Sequence, residues 1–297
     1  MRVAAFDHQR KSLGILSALQ AAGHRIVDRP PADLLLVDHD SAPPRAQLID
    51  AFHADGTTVV MYPHGARPTF QYAGILEPDQ RIRGQLVHGP GIADIYRIVG
   101  CPHEPHVVGW TYSPTVPFHA PRKIRRVLFA PHHPFGNGTM CEYERTLNAD
   151  VARRLAALDV EVTVQMYGSP ETNGVPTVGR WRYVPSSLDL DWRHIDQADA
   201  VIGDGTIAYL AIARGKPTVM VGNARQVYAD DMVTPVDRWP DIAAALRYPV
   251  DTTAGPLDHM LELARAGTTE VNEWKERMIG PPLSRSLLVR TLESLAR

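Results

Sequence analysis

The chain has 297 residues, of which 44% are hydrophobic and 22% are charged, and its formal net charge is -2. This length suits two domains that each bury a core, and the composition excludes an intrinsically disordered chain. The small net charge excludes a general electrostatic attraction to nucleic acid or to anionic lipid.

The sequence carries no mark of an extracellular or membrane protein. The two cysteines, Cys101 and Cys141, are too few for a disulfide framework. Asp7 falls where a signal peptide needs its apolar core, and no long apolar run follows. We therefore expect a cytoplasmic protein without a transmembrane segment. The densest basic cluster, Arg122 to Arg126, is interpreted as a solvated connection, so no clear nucleic-acid patch is predicted.

The first half alternates strand-like and helix-like segments. These are Val3–Asp7, Gln9–Ala22, His24–Val27, Asp33–Val37, Arg45–Ala54 and Thr57–Tyr62. Strands that are apolar throughout are typical of parallel sheets buried on both faces. From Pro63 to Pro121 the pattern is looser, with short apolar runs at Gln85–Val87 and His106–Val108. Three prolines between Ser113 and Pro121 indicate a linker, which predicts domains at 1–118 and 119–297.

The second half has a clearer alternation. Its predicted elements are Val127–Ala130, Glu142–Leu158, Glu161–Tyr167, Leu190–Gln197, Ala200–Gly203, Ile207–Arg214, Thr218–Val221 and a last helix containing Leu287, Leu288, Leu292 and Leu295. In the long helix, Tyr143, Leu147, Val151, Leu155 and Leu158 form one apolar stripe. The predicted class is α/β, with two Rossmann-like halves.

The strand Val127–Ala130 continues through a glycine-containing loop into a helix. Unpaired N–H groups at the start of a helix, together with the helix dipole, favour a bound anion such as phosphate. The candidate binding residues of this loop are His132, His133, Gly136, Asn137, Gly138 and Thr139. A second interpretation stays open, in which Thr139 and Glu142 form a capping box that uses some of these N–H groups internally.

A second strand of this kind is Ala200–Gly203, which is followed by Asp204, Gly205 and Thr206. Small residues at such a corner let a ligand approach the backbone closely. Because ligands of open α/β sheets lie outside the carboxyl ends of the strands, we expect both corners at one sheet edge, serving one nucleotide diphosphate. The alternative is an ordinary turn in which Asp204 or Thr206 caps the helix.

A histidine follows a strand of the first half, in the sequence Tyr62-Pro63-His64-Gly65. The unperturbed pKa of histidine lies near neutrality, which suits a general base that removes a hydroxyl proton. His64 is therefore the candidate catalytic residue. The alternative is an ordinary surface histidine in a loop.

Two sets of residues match metal ligands by residue type. The segment from Cys101 to His106 offers a thiol and imidazoles, but its spacing matches no recognised zinc motif and its prolines indicate a stiff loop. The acidic pairs within 38–40 and 189–191 match a short pattern that occurs often by chance. We therefore predict no bound metal.

Three segments together resemble the GT-B superfamily of nucleotide-sugar glycosyltransferases, and within it the CDP-glycerol glycerophosphotransferases and related capsule and teichoic-acid enzymes. The pair His64-Gly65 is similar to that family's catalytic His-Gly pair. The run Leu128-Phe129-Ala130-Pro131 is similar to the strand Leu-Tyr-Ala-Pro that opens its nucleotide domain. Ala198 to Asp204, with Gly215-Lys216-Pro217, is similar to its phosphate-binding segment.

The resemblance extends from Thr57 to Val221 and implies the GT-B fold, in which two Rossmann-like domains with parallel sheets face an interdomain cleft. Two departures concern the substrates. Gly205-Thr206 stands where the family has paired serines, and Ala66-Arg67-Pro68 follows the His-Gly pair. The base and sugar of the donor and the identity of the acceptor are therefore not implied.

The activity that the resemblance implies is metal-independent transfer of a glycosyl or glycerophosphoryl-like group from a nucleotide-diphosphate donor to a hydroxyl of an acceptor compound or glycan. His64 would remove the acceptor proton, and the corners at 132–139 and 204–206 would bind the donor, with no further cofactor. Two alternatives stay open, a non-hydrolysing nucleotide-sugar 2-epimerase and a non-enzymatic nucleotide-sugar binding protein.

Overall fold

The computed structural model describes residues 1–5, 13–38, 43–62, 81–98, 100, 103–132, 139–186, 192–222, 244 and 247–297. The chain divides into two compact units. The first includes Met1–Tyr112 and Glu276–Arg297, and the second begins at Ser113 and ends at Lys275.

The first unit alternates short strands with helices. Its elements before the second unit are β1 (Arg2–Ala5), α1 (Leu13–Ala21), β2 (Arg25–Val27), β3 (Leu34–Val37), α2 (Pro43–Ala54), β4 (Thr58–Met61), β5 (Ile82–Val87), α3 (Pro90–Ile98) and β6 (Pro105–Val107). The strands that are described form a parallel sheet in the order β2-β1-β3-β4-β5-β6.

The second unit repeats this plan with a second parallel sheet. The remaining elements of the chain are β7 (Arg126–Ala130), α4 (Thr139–Ala156), β8 (Glu161–Met166), β9 (Arg182–Pro185), α5 (Arg193–Gln197), β10 (Ala200–Gly203), α6 (Gly205–Ala213), β11 (Thr218–Met220), α7 (Leu257–Ala266), α8 (Thr269–Met278) and α9 (Arg285–Leu295). The sheet order is β11-β10-β7-β8-β9, so the chain crosses over β7 between β9 and β10. The two α/β units therefore confirm the predicted pair of Rossmann-like halves.

Helices cover both faces of the first sheet. Alternate residues of each strand point to opposite faces, and here both sets are buried. On one face the cluster includes Val3, Leu34 and Leu36 with Ile15 and Leu19 of α1 and Leu288 and Leu292 of α9. On the other face it includes Ala4, Leu35 and Val37 with Ile49 and Phe52 of α2. The uninterrupted apolar run of β3 thus has the structure that the sequence predicts.

The last helix is not part of the second unit, although the predicted division at 118/119 assigned it there. The segment before it runs beside the end of the first sheet, where the amide of Trp110 donates to Pro281 O at 2.8 Å. Gly109 makes this approach possible, because it has φ +93° and an added Cβ would lie 2.6 Å from Pro282 O. The chain changes unit after Tyr112, close to the predicted linker.

Some elements were not predicted from the sequence. The loosely patterned stretch before Ser113 contains β5, α3 and β6, and the stretch rich in glycine and proline contains β9. Helix α3 begins at Pro90, and proline suits the first turn of a helix. The next residue, Gly91, packs closely on Met278, because a Cβ added at Gly91 would lie 2.9 Å from the sulfur of Met278. None of the described helices is both long enough and apolar enough to span a membrane.

Candidate functional site

The two predicted strand-to-helix corners of the second unit are neighbours. Strands β7 and β10 pair in parallel, with Ala130 opposite Gly203 at their carboxyl ends. From β7 the chain adds strands on one side of the sheet, and from β10 it adds them on the other side, so the strand order reverses between β7 and β10. Open α/β sheets bind ligands at such a reversal point. The expectation that both corners lie at one sheet edge is therefore confirmed for the described residues that follow each strand.

His132 and Asp204 join these two corners directly. His132 follows β7, and its ring Nδ1 lies 2.6 Å from Oδ2 of Asp204, the residue after β10. The other ring nitrogen, Nε2, lies 2.8 Å from Oε1 of Glu144 on α4. The imidazole is 15% exposed and the side chains of Asp204 and Glu144 are 10% and 5% exposed, so the three side chains form a mostly buried cluster of titratable groups.

The backbone of His132 is held by a second side chain of α4. Its amide donates to Oδ1 of Asn148 at 3.0 Å, and its carbonyl accepts from Nδ2 of Asn148 at 2.8 Å. The same Nδ2 also donates to the carbonyl of Asn173 at 2.9 Å. Asn148 has no exposed surface, so it links the end of β7, α4 and the loop after β8 from within the core.

We expect Asn148→Ala to lower the free energy of unfolding by about 2–4 kcal/mol, because it removes three hydrogen bonds from a fully buried side chain to the backbone of His132 and Asn173. Urea denaturation followed by circular dichroism measures the change. Thr146→Ala, at an exposed position of the same helix, is the matched control and should shift stability by less than about 0.5 kcal/mol. Equal stability of the two variants would contradict the structural role of Asn148.

Asp204 occupies the N-cap position of α6, but its side chain does not cap the helix. The carboxylate instead contacts His132, so the interpretation of Asp204 as an ordinary cap is not supported. Gly203 allows the two strand ends to come together, because an added Cβ would lie 3.1 Å from the Cβ and carbonyl of Ala130. Gly205 begins the helix with φ +57°, a conformation that side chains rarely adopt, and its Cβ direction is open.

Helix α4 begins at Thr139, three residues earlier than predicted. Glu142 lies in its first turn, where an acidic side chain complements the helix dipole. The side chain of Thr139 lies outside the described residues, so the capping box remains a prediction.

Several predicted site residues lie outside the described part of the chain. These are His64, Gly65, His133, Gly136, Asn137 and Gly138. Cys101, from the segment considered for zinc, also lies outside it. In the described ranges, no group of three or more histidine, cysteine or acidic side chains is arranged to hold a metal ion.

Asp199 and Lys216, which belong to the segment that resembles the family's phosphate-binding motif, stabilise the sheet at the amino ends of its strands. Burial opposes ionisation of Asp199, but hydrogen bonds from the Arg126 guanidinium and from the amides of Arg125 and Arg126 hold the pKa of its carboxyl below the usual value. Lys216 donates to the carbonyls of Asp196 and Ala198, and burial lowers the pKa of its ammonium group. Both precede their strands, so they hold the amino end of β10 rather than the corner at Asp204.

Glu144 and Asn148 were missed as candidates from the sequence. The predicted stripe of α4 runs through Tyr143 and Leu147, both only partly buried, whereas Glu144 and Asn148 are buried in line with Val151. The spacing of four and then three residues places this trio on one helix face. Two polar residues on a face that continues into apolar core positions are the signal that could have identified them.

No protein-family model matches the chain, and no curated protein matches it. Solved structures do match over nearly its whole length. The glycosyltransferase SnogD from Streptomyces nogalater has a TM-score of 0.51 at 14% identity, over 98% of this chain and 99% of that one. The wall teichoic acid polymerase TagF, as the H444N variant, has a TM-score of 0.52 at 10% identity, over 99% and 87%.

An epimerase matches equally well. UDP-GlcNAc 2-epimerase from Neisseria meningitidis, bound to UDP-GlcNAc, has a TM-score of 0.54 at 11% identity, over 99% of this chain and 98% of that one. At sequence identities this low, these structural matches show that the fold is shared, and they show nothing about function. The chain therefore has the two-unit GT-B fold that these glycosyltransferases and this epimerase share, and the His132, Asp204 and Glu144 cluster lies at the switch point of its second sheet.

Proposed function

We propose that the protein transfers a glycosyl or glycerophosphoryl-like group from a nucleotide-diphosphate donor to an acceptor hydroxyl. The observation that carries this proposal is the contact of His132 with Asp204 where strand order reverses in the second sheet, the position at which such sheets take nucleotide ligands. The shared fold with glycosyltransferases supports it.

In this proposal the second unit binds the donor. The corner at 204–206 opens helix α6, whose dipole favours negative charge at that end, and the loop at 132–139 completes the site. The same groups then stabilise the charge that grows on the leaving group, which is the nucleoside diphosphate in glycosyl transfer and the nucleoside monophosphate in glycerophosphoryl transfer, so the proposed reaction needs no metal ion. His64 in the first unit removes the proton of the acceptor hydroxyl as a general base.

The epimerase alternative has its own support, because UDP-GlcNAc 2-epimerase from Neisseria meningitidis shares the fold at a TM-score of 0.54. An epimerase would convert a nucleotide sugar to its stereoisomer without any acceptor. A transferase would consume the donor only when an acceptor is present and would release the nucleotide. Chromatographic analysis of the products, in the presence of EDTA, separates the two reactions.

A panel of UDP, CDP, GDP, dTDP and their sugar conjugates tests the donor site. At about 100 times its Kd a true donor should raise the unfolding temperature by roughly 5–10 °C, because binding to the folded chain stabilises it by mass action. The matching nucleosides, which lack phosphate, are the control and should have little effect. If no diphosphate and no nucleotide sugar stabilises the chain, the proposed function, the epimerase alternative and the binding-protein alternative all fail.

A further inference from the structure

The charge state of His132 decides how the corner of the proposed donor site is held. Its Nδ1 contacts Asp204 at 2.6 Å and its Nε2 contacts Glu144 at 2.8 Å. A neutral imidazole has one N–H and donates to one carboxylate, whereas the imidazolium donates to both. Both distances are as short as those of charge-assisted hydrogen bonds, which favours the doubly donating form.

Burial makes the charge balance of this cluster costly to disturb. A buried carboxylate remains ionised only when a compensating charge or several donors accompany it. Oε2 of Glu144 is buried and has no hydrogen-bond partner within the described part of the chain, and Oε1 contacts the ring of His132. Among the described residues, the ring of His132 is therefore the group placed to compensate a charge on Glu144.

We propose that Glu144 is a positioning residue. Together with Asp204 it keeps His132 charged, and the charged ring holds the end of β7 to the start of α6. The inference rests on the proposed function for the class of ligand, a nucleotide diphosphate. It also restricts the role of His132 at the corner: both ring nitrogens are used within the cluster, so the imidazole itself does not contact the diphosphate.

The first test observes the ring directly in the native chain. In protein labelled with 15N-histidine, the His132 ring should carry a proton on both nitrogens at about pH 7.5, where a free histidine is mostly neutral. The NMR signals of exposed His53, on α2, provide the comparison. A native His132 with one unprotonated ring nitrogen at this pH overturns the proposal.

The second test is a double-mutant cycle with Glu144→Gln and His132→Gln. In the native background Glu144→Gln should lower the unfolding temperature by about 5 °C, because the ring loses one charged acceptor. In the His132→Gln background it should raise the unfolding temperature, because it removes a buried carboxylate that has lost its compensating charge. Glu142→Gln, at an exposed position two residues away, should leave both backgrounds within about 1 °C.

The opposite effects of Glu144→Gln on the unfolding temperature in the two backgrounds distinguish this proposal from one in which Glu144 is protonated and neutral. Glutamine is nearly isosteric with a protonated glutamic acid, so shifts of the same sign in both backgrounds would overturn the positioning role. Neither test uses a nucleotide. A doubly protonated ring and a reversed sign in a chain that binds no nucleotide diphosphate would support the positioning role and refute the proposed function.

Discussion

Replacing His64 with alanine is expected to lower turnover by about 10²–10⁴-fold while leaving nucleotide-diphosphate affinity within about twofold. The proposed donor contacts all belong to the second unit, whereas His64 belongs to the first unit and comes three residues after the last residue of β4. A general base acts on the acceptor proton in the transition state, so its loss affects the chemical step and not donor binding. Steady-state kinetics with a saturating donor, paired with titration of nucleotide binding, measures both quantities.

The matched control for His64 is His53→Ala, because His53 is an exposed histidine of the same unit on α2. It should change neither turnover nor affinity. Parallel loss of turnover and nucleotide affinity in His64→Ala would show that His64 belongs to the donor site or supports folding. Full activity in His64→Ala would remove it from the mechanism.

Leu288→Ala is expected to lower the free energy of unfolding of the first unit by about 2–5 kcal/mol, the range for removing a leucine from a packed core. Leu288 has no exposed surface and packs with Ile15, Leu19 and Leu34 in the cluster on one face of the first sheet. The cavity left behind cannot collapse fully, because α1 and the sheet hold its walls.

Leu287→Ala is the control for this change, since the neighbouring leucine on the same helix is 39% exposed. It should cost less than about 0.5 kcal/mol. Hydrogen exchange followed by mass spectrometry locates the effect: amides of β1 and β3 should exchange faster in Leu288→Ala, with β7 and β10 unchanged. Faster exchange confined to β7 and β10 would contradict the assignment of α9 to the first unit.

Local sequence patterns predicted much of the fold because buried parallel strands carry their own signal. Leu34–Val37 and Ala200–Gly203 are apolar at every position or nearly so, and both are fully buried strands. A strand that is buried on both faces needs apolar residues at every position, so its own sequence reveals it. Asp204, directly after one of these runs, could therefore be predicted to lie at the carboxyl edge of a sheet.

Elements with mixed composition were harder to predict. In β5 the strand Ile82–Val87 includes Arg83, Gly84 and Gln85, and in β9 the strand Arg182–Pro185 begins with an exposed arginine. Their β structure follows from pairing with neighbouring strands, a long-range interaction that residue type does not encode. Glu144 was missed for a related reason: its partner is a histidine brought to it by the packing of α4.

The sequence by itself determined that the chain forms two series of buried strands and helices, with His132 and Asp204 each directly after a strand. Only the tertiary structure decided that these two residues, 72 positions apart, lie 2.6 Å from each other, that Glu144 completes the cluster, and that α9 packs on the first unit. The physical reason is that each segment shows its own burial through the periodicity of its apolar residues. Strand order and helix packing depend instead on how all segments fill the core together.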